Sequence, residues 1–440
     1  MDTAPRFAIA FFFASCMLLC PSRLTSAADK SGGQLDASFK FRGRIILTDV
    51  GDGTFEAAHA IAVQPDGKIV AVGFSSPAVG PSLDFVLVRY ESTGRIDRQF
   101  GDNGRVLTDF TGTGSTDEAF GVAIDSIGRI VVAGYSSSTV GVDLAVARYN
   151  PDGTPDNSFS STGKVVTNLG ANDTAMAVAI DSNDRIVVAG SSNAGGSYDF
   201  AVVRYNVDGT LDTTFNATGR VLTDIGVGSG DFATSAVIQL DGKIVVGGLS
   251  DASGIPYDFT LVRYNPNGSL DLSFNTTGKV LTDFSGSGSY DALQALAIQS
   301  DGKIVAAGDS VSGGGSSLAV ARYTTTGILD GMFNATGKVL TAFASGNVSA
   351  QAVVIQSDGK IVAAGSFDDG NREGPDFALA RYNVDGALDG TFNSTGKVVT
   401  DIGGFDVAYG VGIQPDGKIV AAGFSDVSGT SDFALTRYFP

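Results

Sequence analysis

A phrase of the form DGKIVAAG recurs seven times, ending at Gly73, Gly134, Gly190, Gly248, Gly308, Gly365 and Gly423, and no other feature restricts the fold so strongly. The intervals are 61, 56, 58, 60, 57 and 58 residues. A repeat of this length is one supersecondary unit that cannot bury its apolar face alone and must stack on copies of itself.

The unit beginning at Ala295 shows what is repeated. ALAIQ is a short apolar strand, SDG a tight turn and KIVAAG the returning strand, which together read as a hairpin with an Asp-Gly turn. A Gly/Ser-rich loop leads to LAVARY, a third strand. The longer turn TTTGILDGMFNATG leads to KVLTA, a fourth. Four short antiparallel strands per repeat is the size of a propeller blade. The 59 glycines, with Thr, Val, Ile and Ser filling the segments between them, fit an all-β chain.

Three columns recur in every unit. Arg precedes Tyr at Arg89, Arg148, Arg204, Arg263, Arg322, Arg381 and Arg437. Asp occupies the LDxxF turn at Asp36, Asp97, Asp156, Asp212, Asp271, Asp330 and Asp389, and Phe closes it at Phe39, Phe100, Phe159, Phe215, Phe274, Phe333 and Phe392. A residue needed seven times is needed by the fold. The expectation is a charge-assisted Arg–Asp bond and an aromatic plug between blades.

The ends of the repeat array complement each other. The N-terminal partial unit supplies a turn and the strand RIILT (Arg44 to Thr48), whereas the C-terminal unit stops after its third strand at FALTRYFP. The predicted fold is therefore all-β: a closed seven-bladed β-propeller of four antiparallel strands per blade, with the N-terminal strand completing the last blade. Closure removes the sheet edges that an open array would expose.

At QPDGKIVAAG, DFALARYN and LDxSFNxTGKVVTD the chain resembles the delta-60 repeat family. The resemblance covers nearly everything after the first thirty or so residues. It implies a propeller-like domain in an exported bacterial protein and carries no catalytic residue with it.

Residues 1–27 read as a signal peptide: Arg6, an apolar run from Phe7 to Cys20, and small residues before Ala27 and Ala28. Residues 28–440 then form a single seven-repeat domain, exported to the periplasm or the extracellular space. Cys16, in a poor lipobox, keeps a lipoprotein alternative open. Both cysteines fall inside the signal, so the mature chain has no disulfide and no thiolate site. A net charge of −18 argues against nucleic acid as a partner. No further stretch is long and apolar enough to span a bilayer, and a monomer is expected.

Loop lengths divide the blade into two faces. The inner-strand Ile or Val lies 10 residues before the repeat glycine in every unit, and the Arg lies 19 before the fourth-strand Thr wherever both are present. The other two connections vary, from 13 to 16 and from 14 to 16 residues, and they share a face. One inner-strand column is equally varied: His59, Phe120, Met176, Thr234, Gln294, Gln351 and Tyr409. These seven are expected at the variable-face mouth of the central channel, where mixed aromatic, apolar and amide groups suit a ligand pocket.

His59 is the only histidine and there is no Trp, which removes histidine-ligated metals and the usual indole platform for sugars. The column holds no Asp or Glu. The expected function is therefore non-enzymatic binding or scaffolding of a protein, peptide or glycan. The alternatives are a secreted carboxylate-dependent hydrolase or lyase and a structural surface or matrix protein. No cofactor is required. The acidic segments DVGDGTFE (Asp49 to Glu56) and FDDGNREGPD (Phe367 to Asp376) are compatible with calcium, although neither has EF-hand spacing. N-terminal sequencing of the exported protein is expected to begin near residue 28, and a retained Met1 or a lipid on Cys16 would overturn that assignment.

Overall fold

The computed structural model describes residues 31–39, 45–50, 55–76, 82–112, 114–138, 141–254, 256–286, 288–344, 346–370 and 374–440. The expected signal segment and Arg44 lie outside them. Twenty-eight strands and no helix occur among the described residues, so no helix there is long and apolar enough to cross a membrane.

The strands form seven four-stranded antiparallel sheets. Blade 1 runs from an inner strand Glu56–Val63 through Ile69–Ser75 and Asp84–Tyr90 to the outer strand Arg105–Thr108. Blades 2 to 6 repeat this order. Blade 7 takes three strands from the C-terminus (Asp406–Ile413, Ile419–Ser425, Asp432–Tyr438) and its outer strand, Ile45–Thr48, from the N-terminus, with Ile46 opposite Leu435. The ring is closed as the complementary ends predicted, by seven blades of four strands.

The second and third strands of each blade are buried on both faces, which explains their unbroken apolar runs. The three seven-fold columns form one clamp per blade. In blade 2, Arg148 Nε lies 2.8 Å from Asp156 Oδ2, its guanidinium carbon stands 4.7 Å from the centre of the Phe159 ring, and Nη1 donates to Val207 O of the next blade at 2.6 Å. The same Arg–Phe stacking, at 4.4 to 4.7 Å, recurs in all seven blades. Each clamp Phe is fully buried. Phe274 packs beneath Gly327 of the next blade, where φ is +84° and a Cβ would come within 2.8 Å of the ring. Only glycine tolerates both conditions.

The Tyr after each Arg stitches the blades from the other side. Its hydroxyl bonds the outer-strand Thr of the preceding blade: Tyr323 to Thr282 at 2.8 Å, Tyr382 to Thr341 at 2.7 Å, and Tyr90 to Thr48 at 2.9 Å across the closure. The closing strand thus contributes a ladder, the buried Ile46 and a Tyr–Thr bond.

Two outcomes follow. Phe274→Ala should cost about 3–5 kcal/mol in denaturant unfolding, the range for deleting a buried aromatic. Truncation through Thr48 should lower the melting temperature of the whole ring and yield oligomers through the exposed edge of the Asp432–Tyr438 strand, read by calorimetry and light scattering. A truncated chain as stable as the parent, and no more associated than it, would refute closure by that strand.

Candidate functional site

All seven varied residues named from the sequence line a single cavity of about 220 Å³ in the channel: His59, Phe120, Met176, Thr234, Gln294, Gln351 and Tyr409. What the sequence reading missed is why. Each is the extra residue of a β-bulge. Ala58 pairs with Gly73 and Ala60 with Val72, leaving His59 unpaired between them, and the register breaks at the same place in the other six inner strands. A bulge bends its strand and re-aims one side chain.

The repeat glycine is the other half of this device. A Cβ on Gly73 would lie 1.8 Å from Ala57 O, and the equivalent distance is 1.8 to 2.1 Å at the other six. The glycine that marks the repeat therefore makes room for the bulge. The small residue after each bulge serves close approach between neighbouring inner strands: a Cβ on Gly121 would lie 3.0 Å from Val178 N, and one on Gly410 3.0 Å from Ile61 N.

The lining is uneven around the ring. His59 stacks on Phe120 at 4.6 Å and 13°, meets Tyr409 edge-on at 5.3 Å, and touches Phe74 at 5.3 Å. Tyr135 continues the stack behind Phe120, and Phe424 backs Tyr409. Blades 7, 1 and 2 thus present an aromatic crescent. Polar groups occupy the opposite arc: Thr234 Oγ1 donates to Leu293 O of the next blade at 2.8 Å, and Gln294 and Gln351 follow.

His59 Nδ1 lies 3.1 Å from Ala119 O. A carbonyl only accepts, so Nδ1 carries the proton and Nε2 is left as an acceptor. Burial pushes the imidazole pKa down to about 4, with the Ala119 bond opposing the shift. Two carboxyl groups stand just behind the rim. Glu118 precedes Phe120 by two residues, accepts from Tyr135 Oη at 2.6 Å and is pushed up by burial. Asp309, paired opposite Ala292, is raised to about 6 by burial and then by Asp291. Neither was singled out from sequence, because both lie outside the varied column.

The acidic segments read as calcium-compatible are resolved differently. Residues 51–54 and 371–373 lie outside the described set, so neither segment is seen whole. Asp376 from the second is gathered with Asp401 and Asp406, which come from other parts of the chain. Acidic groups cluster between blades here, not within one loop.

Larger cavities, of 410 and 400 Å³, open on the constant-length face where blades meet, around Gln414, Lys418 and Arg437 and around Gln239, Lys243 and Arg263. They are built from the same turn residues at equivalent seams, between blades 7 and 1 and between blades 4 and 5. They follow from blade packing, and they lack the residue-by-residue variation of the channel lining.

The repeat pattern of the family described as "Domain of unknown function (DUF5122) beta-propeller" matches residues 64–100, 128–159, 182–215, 239–274, 299–333, 356–392 and 414–440. The chain belongs to the DUF5122 beta-propeller family. Each matched segment of this DUF5122 propeller begins in the hairpin turn after the inner strand, and all but the last end at or next to the clamp Phe. No curated protein matches the chain in sequence. Among solved structures it is similar to Sqt1 of Chaetomium thermophilum (12% identity over 89% of this chain and 97% of that one, TM-score 0.48). It is also similar to the alpha-L-arabinanase of Penicillium chrysogenum complexed with arabinobiose (10%, 87% and 92%, 0.47) and to the polysaccharide lyase Uly1 (11%, 87% and 90%, 0.47). At these identities and TM-scores the likenesses bear on neither ligand nor reaction.

The single histidine makes the rim's electrostatics measurable. Because its folded-state pKa is depressed, the unfolded chain takes up a proton that the native state refuses as pH falls from about 6.5 to 4. The stability His59 contributes is full above pH 6.5 and is lost across that window, roughly 1–3 kcal/mol in all. NMR titration should show one imidazole titrating below pH 5, and His59→Gln should flatten the stability profile between pH 4 and 6.5.

Proposed function

We propose that this DUF5122 propeller is an exported, monomeric, non-enzymatic binding module that seats a protein, peptide or glycan at the channel mouth on its variable-loop face. The observation that carries the reading is the convergence of the seven bulge residues on one cavity. The scaffold is repeated nearly residue for residue, yet the one side chain per blade that the bulge turns inward differs almost every time. The aromatic crescent supplies flat apolar contact, and the Thr and Gln arc supplies hydrogen-bonding groups. None of the seven lining residues is acidic. The export part of the proposal rests on the signal-like N-terminus and on the resemblance to exported delta-60 repeat proteins.

The test is a screen of the full mature chain against peptide and oligosaccharide arrays, repeated with Phe120→Ala/Tyr409→Ala. The double variant should lose at least ten-fold in affinity for the hits while its melting temperature changes little, because these side chains carry less packing than the clamp residues. Retained binding, with loss instead on substituting the constant-length face, would place the site on the wrong side.

A second reading, a hydrolase or lyase, is favoured by one observation: Asp309, with its carboxyl raised to about 6, stands behind the inner strand that carries Gln294. A carboxyl group held near neutrality is what general acid chemistry uses. Activity on a polysaccharide panel that Asp309→Asn abolishes would replace the binding proposal with this one.

A further inference from the structure

The blade seams on the variable face carry clusters of carboxylates that take no part in the channel site. Asp84, Asp109 and Asp117 meet between blades 1 and 2, and Asp199, Asp224 and Asp231 between blades 3 and 4. Asp258, Asp283 and Asp291 meet between blades 4 and 5, and Asp376, Asp401 and Asp406 between blades 6 and 7. In each cluster three carboxylate oxygens, one per residue, lie within 4.8 Å of one another.

The construction is the same each time. One Asp opens the third strand of a blade, one follows the outer-strand Thr, and one lies near the start of the next inner strand. A backbone bond draws the elements together: Asp117 N donates to Leu83 O at 2.7 Å, Asp231 N to Tyr198 O at 2.8 Å, Asp291 N to Tyr257 O at 2.8 Å and Asp406 N to Pro375 O at 2.7 Å. The Oδ2 atom of each inner Asp accepts a loop N–H, from Phe110, Ile225, Phe284 and Ile402 respectively.

A second, independent observation points to something bound. Two clusters contain a buried carboxylate oxygen with no hydrogen-bond partner, Asp199 Oδ1 and Asp291 Oδ1; Asp117 Oδ1 and Asp406 Oδ1 also lack a bond of good geometry, and the donor beside each of those carboxylates is a serine hydroxyl, Ser136 and Ser425. Asp117, Asp291 and Asp406 are 0% exposed and Asp199 is 8% exposed. Among the described residues the remaining unpartnered carboxylate oxygens are Asp143 Oδ1 and Asp173 Oδ1, which occupy the same positions at the seam of blades 2 and 3, and Asp389 Oδ2, which is ion-paired with Arg381. A buried carboxylate oxygen without a donor is costly unless a cation faces it. The lysines at these seams do not serve: Lys279 Nζ donates to the backbone oxygen of Asp224 and Lys338 Nζ to that of Asp283. None of the nine carboxylates of the first three clusters pairs with Lys or Arg among the described residues.

The seam between blades 5 and 6 supplies the control. There the three positions read Ser317, Ala342 and Val348, so the acids are lost together. The second-strand Ser that meets the inner acid elsewhere, as Ser250 Oγ meets Asp231, is replaced by Phe367, which packs on Phe343 at 5.7 Å. Acids kept only for surface solvation have no reason to disappear as a set. Ligands of one shared ion do.

We propose that these four seams are binding sites for a hard divalent cation of the calcium class, each pinning the outer part of one blade to the inner strand of the next. Oxygen-only donors and oxygen separations of up to 4.8 Å suit the 2.3–2.6 Å bonds of Ca²⁺ better than the tighter shell of Mg²⁺. The inner-strand ligand precedes the bulge residue by three positions: Asp117 and Phe120, Asp231 and Thr234, Asp291 and Gln294, Asp406 and Tyr409. The ions would therefore fix the strand ends that carry the channel lining.

The test is equilibrium dialysis and calorimetry of the chelator-treated full chain with CaCl₂ alone. The expected result is four ions per chain, one for each cluster, and a rise in melting temperature that equimolar Mg²⁺ does not match. Asp109→Asn/Asp224→Asn/Asp283→Asn should lower the stoichiometry to about one and abolish most of the thermal shift. Asn keeps the Oδ1 acceptor that Asp109 and Asp283 offer their loop N–H groups, so this variant should fold. No calcium bound at millimolar concentration, or unchanged stoichiometry in the triple variant, would overturn the proposal.

Discussion

The close approach between the repeat glycine and the carbonyl opposite it organises the rest of the molecule. With Ala57 O only 1.8 Å from where a Cβ of Gly73 would stand, any other residue would push the inner strand away and close the bulge. The bulge turns one side chain per blade into the channel, and the small residue after it lets inner strands crowd together around the axis. A seven-fold ring with a shaped, aromatic-to-polar lining follows from one backbone contact repeated seven times.

The two faces of the ring do different work. On the constant-length face the Arg clamp joins three interactions in one side chain: an ion pair with Asp, a stack on Phe and a bond to the next blade's turn. Burying a guanidinium is tolerable here because most of its donors are matched and its flat face is covered. The carboxyl of Asp271 is correspondingly held down to about 2, where burial alone would raise it, by Ser273, Lys243 and Arg263. The clamps need fixed spacing, so the loops that carry them cannot change length.

On the opposite face the inter-blade charge is of one sign. Among the described residues, the aspartates of the first three clusters converge without Lys or Arg partners, and the Asp84 carboxyl is pushed up by burial and by Asp109 and Asp117. The two faces thus differ at the same seams: carboxylates paired with Arg and Lys on one, and carboxylates gathered with one another on the other. The channel lining sits between them, anchored by both.

Much of this was legible in the sequence. The seven-fold phrase fixed blade number, the complementary ends fixed closure, and the columns of Arg, Asp and Phe announced a clamp, because each is a local pattern that must recur wherever the fold recurs. The seven varied residues were found as a column for the same reason, by disagreeing where everything else agreed. Three things required the tertiary structure. The bulge leaves no local signature, since the glycine that permits it lies on the neighbouring strand. The pairing of Tyr90 with Thr48 joins residues that only ring closure brings together. The carboxylate clusters draw their members from two blades, so Asp376 read in sequence belongs to an acidic loop, and in space belongs with Asp401 and Asp406. Sequence determines what repeats; only the folded ring decides which parts of neighbouring repeats meet.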